Sequence, residues 1–303
     1  MMSRVELLQE AQGLQWFHSI DFGDWISPER TPHKALVANS TLLPVWNFLE
    51  RLDLRKRACL DIGAADGIVA FTMEQMGARR VVATDGNPRR TFEVARDLLD
   101  SGVQYQPDMP DTQLATRLRP KSYDLIVMAG FLYHLFCPMA ALAACRRALK
   151  PGGLLLLESV YTGGEEAAAY LNTAMDPPLT EQWSTYWIPT AACLEGQLNL
   201  ACFDILGSAS LGRKLTTKIP GRIAYLCRAS APDDIAHRTP QLIQTHARLK
   251  AVPELDFRSM GEAARRPIAY NHSREHVELS PKRHPGWVPL LPKLSASPGA
   301  RVV

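Results

Sequence analysis

The sequence predicts an α/β protein built on a doubly wound, mostly parallel seven-stranded sheet. From residue 57 onward, apolar strand segments alternate with helical segments, and right-handed crossovers join such strands into a parallel sheet. Two of the strands, at 123–129 and 153–160, contain continuous apolar runs, which are typical of strands buried on both faces. A glycine-bearing turn at 61–67 joins the first strand to a helix, as ligand-binding turns of such sheets do.

The composition is that of an ordinary globular chain. Its 303 residues are 46% hydrophobic and 21% charged, which is enough apolar material for a full core. No apolar run approaches the roughly 20 residues that span a bilayer, and the first residues lack an apolar signal segment. No membrane partner is therefore expected. The six cysteines include no Cys-x-x-Cys pair, so we expect no metal site, and buried free thiols in a cytoplasmic protein.

The positive charge is concentrated at the end of the chain. Residues 231–303 carry 11 Lys and Arg against 7 Asp and Glu, whereas the preceding residues carry 23 against 24. A nearly neutral main body lacks the basic surface that binds phosphate backbones, so a nucleic-acid partner is not expected.

Residues 1–56 are predicted to form an N-terminal helical lid, with helices at 3–12 and 35–50. The irregular segment between these helices is rich in aromatic residues and is punctuated by Gly and Pro. It either packs on the core or contributes to the site, since loops on rigid scaffolds often carry binding residues. On the second interpretation, Trp16 and Phe17 bind substrate and His18 takes part in catalysis.

Residues 57–230 are predicted to form the core, with an insertion at 161–190. The predicted strands lie at 57–62, 80–84, 103–106, 123–129, 153–160, 203–210 and 222–229, the last two forming an antiparallel hairpin. The predicted helices lie at 67–76, 88–100, 111–118, 138–149 and 190–200.

Residues 231–303 are predicted to form a helix at about 233–250 followed by an extended arm. This region holds nine of the 22 prolines and five of the eight histidines, which disfavours a second core. An arm of this kind predicts a homo-oligomer.

The pattern Asp61-x-Gly63-x-x-x-Gly67, followed by Asp85 at the end of the second strand, indicates a cofactor that contains adenosine. Spacing alone does not separate a nicotinamide dehydrogenase from a methyltransferase. An acid at the end of the first strand, however, would repel a pyrophosphate and attract the ammonium of a methionine-type tail. The pattern therefore favours S-adenosylmethionine (SAM).

The sequence resembles the class I SAM-dependent methyltransferases, whose Rossmann-like fold agrees with the predicted sheet. Within them, residues 14–229 are similar to the group of tRNA wobble-uridine carboxymethyltransferases. The resemblance rests on six segments in order, at 16–21, 60–67, 81–85, 130–134, 149–153 and 186–190. The wider group includes enzymes that tailor small metabolites.

The resemblance implies roles for individual residues around the cofactor. The methionine end is expected at Asp61, Gly63, Ala64 and Gly67. The ribose is expected at Asp85, and the adenine at Gly86, Asn87 and Asp108. The wall behind the sulfonium is expected at Met128, Ala129 and Gly130.

Two departures from the family pattern bear on the acceptor. Ala65 replaces the commoner glycine in the turn, and the Lys-Gly-Pro-Phe type segment of the tRNA enzymes is missing upstream of residue 58. We therefore expect a small-molecule acceptor, in natural-product biosynthesis. The alternatives are a tRNA-modifying enzyme and a non-catalytic protein that binds SAM or a partner.

Four residues near the expected methyl position are candidates for chemistry, His134, Tyr133, Glu158 and His18. The pKa of an unperturbed His lies near neutrality, so His134 is either a general base or a histidine satisfied by the backbone. Glu158 either deprotonates the substrate, stabilises a cation or anchors the lid. In the insertion, Trp183, Tyr186 and Trp187 either line the substrate pocket or form a local core.

Overall fold

The fold was analysed in a computed structural model. The structure describes residues 2–28, 38–172, 184–211, 215–216 and 220–230, together with the backbone of 275–279. The predicted helix at 233–250, the rest of the C-terminal arm, the first residues of the predicted helix at 35–50, and Trp183 lie outside these ranges.

Ten strands and eight α-helices occur in the described residues. The strands are β1 (Ala58–Ile62), β2 (Arg80–Thr84), β3 (Gln104–Gln106), β4 (Tyr123–Ala129), β5 (Leu149–Tyr161), β6 (Ala169–Leu171), β7 (Trp187–Pro189), β8 (Phe203–Leu211), β9 (Gly221–Ala229) and β10 (Glu275–Leu279). The helices are α1 (Arg4–Gly13), α2 (Ala38–Thr41), α3 (Leu43–Leu49), α4 (Ile68–Gln75), α5 (Arg90–Leu98), α6 (Leu114–Arg117), α7 (Pro138–Ala148) and α8 (Ala191–Leu200).

The main sheet has the strand order β10-β8-β9-β5-β4-β1-β2-β3. Strands β1 to β5 pair in parallel, and β9 lies antiparallel between β5 and β8. The predicted fold class is confirmed, including the closing antiparallel hairpin. An eighth strand, β10, adds in parallel to β8, at a place where the sequence predicts only an extended arm.

Each face of the sheet is covered by a different set of helices. Alternate strand residues point to opposite faces, so Val127 joins a core with α1, α3, α4 and α5. Its neighbour Met128 joins a second core with α6, α7 and α8. Strands buried on both faces explain the continuous apolar runs of the sequence.

The second lid helix is interrupted, in contrast to the single helix predicted at 35–50. Helix α2 ends at Thr41 and α3 begins at Leu43, with Pro44 in its first turn. Pro44 has no N–H with which to continue the helical ladder back to Ser40, so the helix breaks there.

In the described part of the insertion after β5, β6 and β7 pair as a two-stranded antiparallel sheet. Of the six cysteines, Cys137 is exposed and Cys193 is partly buried, so the prediction of buried thiols holds for the other four. Within the described ranges, no helix is both long and apolar enough to cross a membrane.

Candidate functional site

The turn after β1 is shaped by two glycines in the left-handed region. Gly63 has φ +78° and Gly67 has φ +89°. A Cβ on Gly63 would lie 2.5 Å from the ring of Phe131, and one on Gly67 would lie 2.5 Å from the ring of Phe71. Any side chain at either position would displace an aromatic ring, so the turn requires glycine.

Asp61, at the end of β1, is a buried carboxylate with an unsatisfied oxygen. It is 2% exposed, and its Oδ2 has no hydrogen-bond partner in the described part of the chain. Burial raises its pKa to about 7, and the nearby Asp85 adds to this effect. Such an atom fits a cationic partner, since burying an unpaired carboxylate is otherwise costly.

Asp85, at the end of β2, is hydrogen-bonded to the turn at 63–67 after β1, which we call the cofactor turn. The N–H of Ala65 donates to its Oδ2 at 3.0 Å, and the N–H of Asn87 donates to its Oδ1 at 3.3 Å. Ala65 itself has φ +47°, a left-handed conformation that is unusual for a residue with a side chain. The Ala65 N–H bond to Asp85 holds this strained turn in place.

The remaining predicted cofactor residues lie along the same edge of the sheet. Asn87 and Asp108 are exposed at the rim, and Gly86 is partly buried. The N–H of Met109 donates to the backbone oxygen of Asp85 at 3.0 Å, which brings Asp108 to the end of β2. Buried Ala64 and Met128, and partly buried Ala129 and Gly130, complete the set. The structure brings these residues together, and their cofactor contacts stay a prediction.

Arg222, on β9, organises a buried polar cluster beside β4 and β5. Its Nε and Nη2 donate to the two carboxylate oxygens of Glu158 at 2.6 and 2.7 Å, and its Nη1 donates to the Tyr133 hydroxyl at 2.8 Å. Glu158 also accepts from the N–H of Gly130 at 2.8 Å. A Cβ on Gly130 would lie 3.3 Å from Arg222, so glycine makes room for this cluster.

This arrangement changes the interpretation of Glu158. Both of its oxygens are occupied and the side chain is fully buried, so it is not placed to deprotonate a substrate. Among the described residues, the side chain of Glu158 bonds to Arg222 and Gly130 and to no part of the lid, so these bonds do not support an anchoring role. Its role is to hold Arg222 and the backbone of Gly130 at the end of β4.

Tyr133 and His134 follow β4 in a short 3-10 turn. Burial raises the pKa of Tyr133, so its hydroxyl stays protonated while it accepts from Arg222. His134 Nδ1 lies 2.6 Å from the Ser184 carbonyl oxygen, so Nδ1 carries the hydrogen and Nε2 the lone pair. Burial lowers the pKa of His134, which keeps the ring neutral at pH 7.

The irregular lid segment, residues 14–28, is tied to the cofactor turn by Asp66. The N–H groups of Phe17 and His18 both donate to Asp66 Oδ2 at 2.7 Å. Thr91 Oγ1, on α5, donates to Asp66 Oδ1 at 2.7 Å. His18 is 7% exposed, and its Nδ1 lies 3.8 Å from Asp66 Oδ2. His18 is therefore brought to the site.

The predicted substrate residues are divided between the site and local packing. Trp16 is buried against Phe22 and donates to the Ala11 carbonyl, so it belongs to the core of the lid. Phe17 is partly exposed and packs edge-on against His18. Tyr186 is exposed, and Trp187 Nε1 donates to the carbonyl of Leu135, just after the His134 turn.

Three residues of the site were missed by the sequence analysis. Arg222 is an arginine inside an apolar strand, a pattern that indicates a buried ion pair. Asp66 stands next to an expected cofactor glycine and could have been recognised as an N–H acceptor for the lid. For Phe131 the sequence holds no such signal, because its contact with Gly63 depends on how two loops meet.

Part of the chain is similar to known methyltransferases. Residues 60–155 match a family described as a methyltransferase domain. The chain is 26% identical over 198 residues to a tRNA U34 carboxymethyltransferase of Cellvibrio japonicus, covering 62% of this chain and 54% of that protein. It is 32% identical over 110 residues to a ubiquinone biosynthesis O-methyltransferase of Xanthomonas euvesicatoria, covering 36% and 46%. The chain thus spans about half the length of the curated relatives it matches.

Two solved structures show the same fold at low identity. The N-terminal domain of EvdMO1, with SAH bound, has a TM-score of 0.54 at 17% identity and covers 75% of this chain and 97% of that one. The Burkholderia thailandensis 1,6-didemethyltoxoflavin-N1-methyltransferase, with bound 1,6-didemethyltoxoflavin and S-adenosylhomocysteine, has a TM-score of 0.50 at 17% identity, with coverage of 63% and 79%. At this identity the similarity shows the fold alone.

Proposed function

We propose that this chain, which is a class I SAM-dependent methyltransferase similar to the tRNA U34 carboxymethyltransferase group, methylates a small molecule in the tailoring of a secondary metabolite. The enzyme class and the cofactor predicted from the sequence are confirmed by the methyltransferase-domain match and the methyltransferase relatives. The identity of the acceptor and the residues that act on it are what we propose.

Two segments that are hydrogen-bonded next to the expected site carry the proposal. The lid segment is hydrogen-bonded to Asp66 on one side of the site. On the other side, the insertion is bonded to the turn after β4, because the N–H of Tyr186 donates to the carbonyl of Tyr133 at 2.9 Å. Tyr133, to which the insertion is bonded, is only 6% exposed. A covered site of this kind suits a compact acceptor better than a folded RNA.

The charge of the site points the same way. Arg222 is matched by Glu158, so the buried cluster offers no net positive charge to a phosphate. Residues 1–230 carry 23 Lys and Arg against 24 Asp and Glu, without the excess that attracts a nucleic-acid backbone. Both observations favour an acceptor without phosphate groups.

The residues present fit SAM and include side chains that can donate or accept a proton. When bound, the cofactor supplies a methyl group on a sulfonium, which an aligned nucleophile attacks in line. Asp61 would receive its ammonium, and Asp85 its ribose hydroxyls. The hydroxyl of Tyr133 already accepts from Arg222, so its own hydrogen is available to orient the acceptor. A neutral histidine, His134 or His18, can take the acceptor's proton.

The second candidate is methylation or carboxymethylation of tRNA. The similarity to the Cellvibrio japonicus tRNA U34 carboxymethyltransferase favours it, because it extends over 62% of this chain. The similarity to a ubiquinone biosynthesis O-methyltransferase is shorter but reaches 32% identity, and it supports the small-molecule proposal.

A labelling experiment separates the two candidates. The purified protein is incubated with tritium-labelled SAM and an extract of the source cells, which is then divided into small-molecule, RNA and protein fractions. We expect the label in the small-molecule fraction, and the Asp61→Asn variant, which should bind SAM poorly, serves as the matched control. Label in the RNA fraction, or salt-sensitive retention of bulk tRNA, would favour the second candidate. SAH binding by calorimetry without any label transfer would indicate a non-catalytic protein.

A further inference from the structure

Asp66 joins three parts of the molecule through one buried carboxylate. It lies in the cofactor turn next to Gly67 and is 3% exposed. Its Oδ2 accepts the N–H groups of Phe17 and His18, and its Oδ1 accepts the Thr91 hydroxyl, all at 2.7 Å. The lid, the cofactor turn and α5 therefore share a single hydrogen-bond centre, and the position of His18 is set from the cofactor side.

The ring of His18 lies near the same carboxylate, at a distance too long for a hydrogen bond. Its Nδ1 lies 3.8 Å from Asp66 Oδ2 and has no hydrogen-bond partner in the described ranges. Catalytic hydrogen bonds are often long before substrate binds and shorten in the complex. A carboxylate favours the tautomer that presents N–H to it, so we expect the hydrogen on Nδ1 and the lone pair on Nε2.

The charged groups that act on His18 are Asp66, on the cofactor turn, and Arg222, on β9. Burial lowers the pKa of His18, Asp66 opposes this effect, and Arg222 adds to it. The backbone N–H and the ring of His18 both lie beside Asp66, so His18 is next to the turn that holds the expected cofactor residues. His134 differs, because a neutral carbonyl, that of Ser184, is the hydrogen-bond partner of its Nδ1.

We propose that Asp66 is a positioning residue that orients His18, through Nδ1–H, as the base for the acceptor. This inference rests on the proposed function. As the bond between the acceptor atom and the methyl carbon forms, the methyl–sulfur bond breaks, and the acceptor's proton moves to Nε2 of His18. The resulting imidazolium then lies beside the Asp66 carboxylate, which stabilises it. The carbonyl that faces His134 offers no comparable charge.

The test is the tautomer and pKa of His18, measured by NMR on the full chain with ¹⁵N-labelled histidine and SAH. His18→Gln assigns the signal. We expect hydrogen on Nδ1 in the wild-type complex and a further fall of about one unit in the pKa of His18 in Asp66→Asn. Thr91→Val, which keeps the carboxylate, is the matched control, and the His134 signal is an internal reference that should not move in either variant.

A hydrogen on Nε2 of His18 in the wild-type complex would by itself overturn the proposal, before any variant is measured. So would an unchanged pKa of His18 in Asp66→Asn. Amide exchange gives a second readout, since Phe17 and His18 should exchange at least about tenfold faster in Asp66→Ala than in Thr91→Val. Calorimetry with SAH on the wild-type protein distinguishes a failure of this proposal from a failure of the cofactor assignment. Absent SAH binding would refute the cofactor assignment, whereas normal binding with the wrong tautomer refutes only the role of Asp66.

Discussion

Replacing Asp61 with Asn should make the free protein more stable and the cofactor complex weaker. In the free protein, burial of Asp61 raises its pKa from 3.8 to about 7. The folded state therefore binds more protons at this residue than the unfolded chain does between about pH 4 and pH 7. Because of that excess, the contribution of Asp61 to stability falls as the pH rises through this window.

The size of the effect follows from the shift. Three pKa units correspond to about 4 kcal/mol, as an order of magnitude, and local relaxation or water entry will reduce it. The asparagine side chain of the variant would be neutral at every pH and nearly the same shape. We therefore expect Asp61→Asn to unfold with a free energy about 2–4 kcal/mol above that of the wild type at pH 8, and close to it at pH 4.

For cofactor binding we expect the opposite order, with the wild type binding SAH more tightly than Asp61→Asn. An ionised Asp61 facing an ammonium forms a charge-assisted hydrogen bond, and its loss should weaken SAH binding about 10- to 100-fold at pH 8. For the wild type, the Kd for SAH should rise about tenfold per pH unit below pH 7, because binding then requires release of a proton. The variant should lack this pH dependence.

Urea denaturation at pH 4 and pH 8 gives the stabilities, and calorimetric titration with SAH gives the affinities. Asp97→Asn, at an exposed acid on α5, is the matched control and should change either quantity by less than about 0.5 kcal/mol. Equal SAH affinity in Asp61→Asn and the wild type would refute the ammonium assignment. A variant less stable than the wild type at pH 8 would show that the buried oxygen is satisfied in solution.

The remaining predictions concern packing, the buried ion pair and the arm. Gly63→Ala should lower the free energy of unfolding by about 1–3 kcal/mol and impair SAH binding, because its Cβ meets the Phe131 ring; Phe131→Ala in the same chain should recover part of the stability in thermal unfolding. Arg222→Met should cost about 3–5 kcal/mol in urea denaturation because it leaves Glu158 charged and buried, and adding Glu158→Gln should restore some of it; strictly additive losses would contradict the pairing. Deletion of residues 252–303, which removes β10, should change the species seen in size-exclusion chromatography more than the SAH affinity; an unchanged species would count against the predicted oligomer.

The parts of the fold that were predictable are those fixed by local pattern. The apolar run 154–157 marks a strand buried on both faces wherever it lies in the sheet, and it does so here within β5. The glycines at 63 and 67 mark a turn whose backbone few other residues adopt. Asp61 lies at the carboxyl end of β1 and Asp85 directly follows the adjacent parallel strand β2, so their meeting at one edge follows from topology alone.

The parts that were not predictable depend on contacts between distant segments. Glu158 and Arg222 are 64 residues apart, and neither strand's pattern shows that the two side chains face each other. The bond from His18 to Asp66 joins positions 48 residues apart. Strand β10 lies in a Pro- and His-rich region, where composition favours an arm and the pairing with β8 decides otherwise. In each case tertiary context overrides local propensity.

The position of β10 has a consequence for how the chain folds during synthesis. Strand β8 pairs with β9 on one side, but its other side is covered by residues that are synthesised 68 positions later, since Gly207 faces Glu275. At about 5–20 residues per second, that side of β8 stays open for roughly 3 to 14 s on the ribosome. An unpaired strand edge is a template for pairing with another chain. Where several ribosomes translate one mRNA close together, nascent copies of this chain are therefore most exposed to pairing with each other through the open edge of β8.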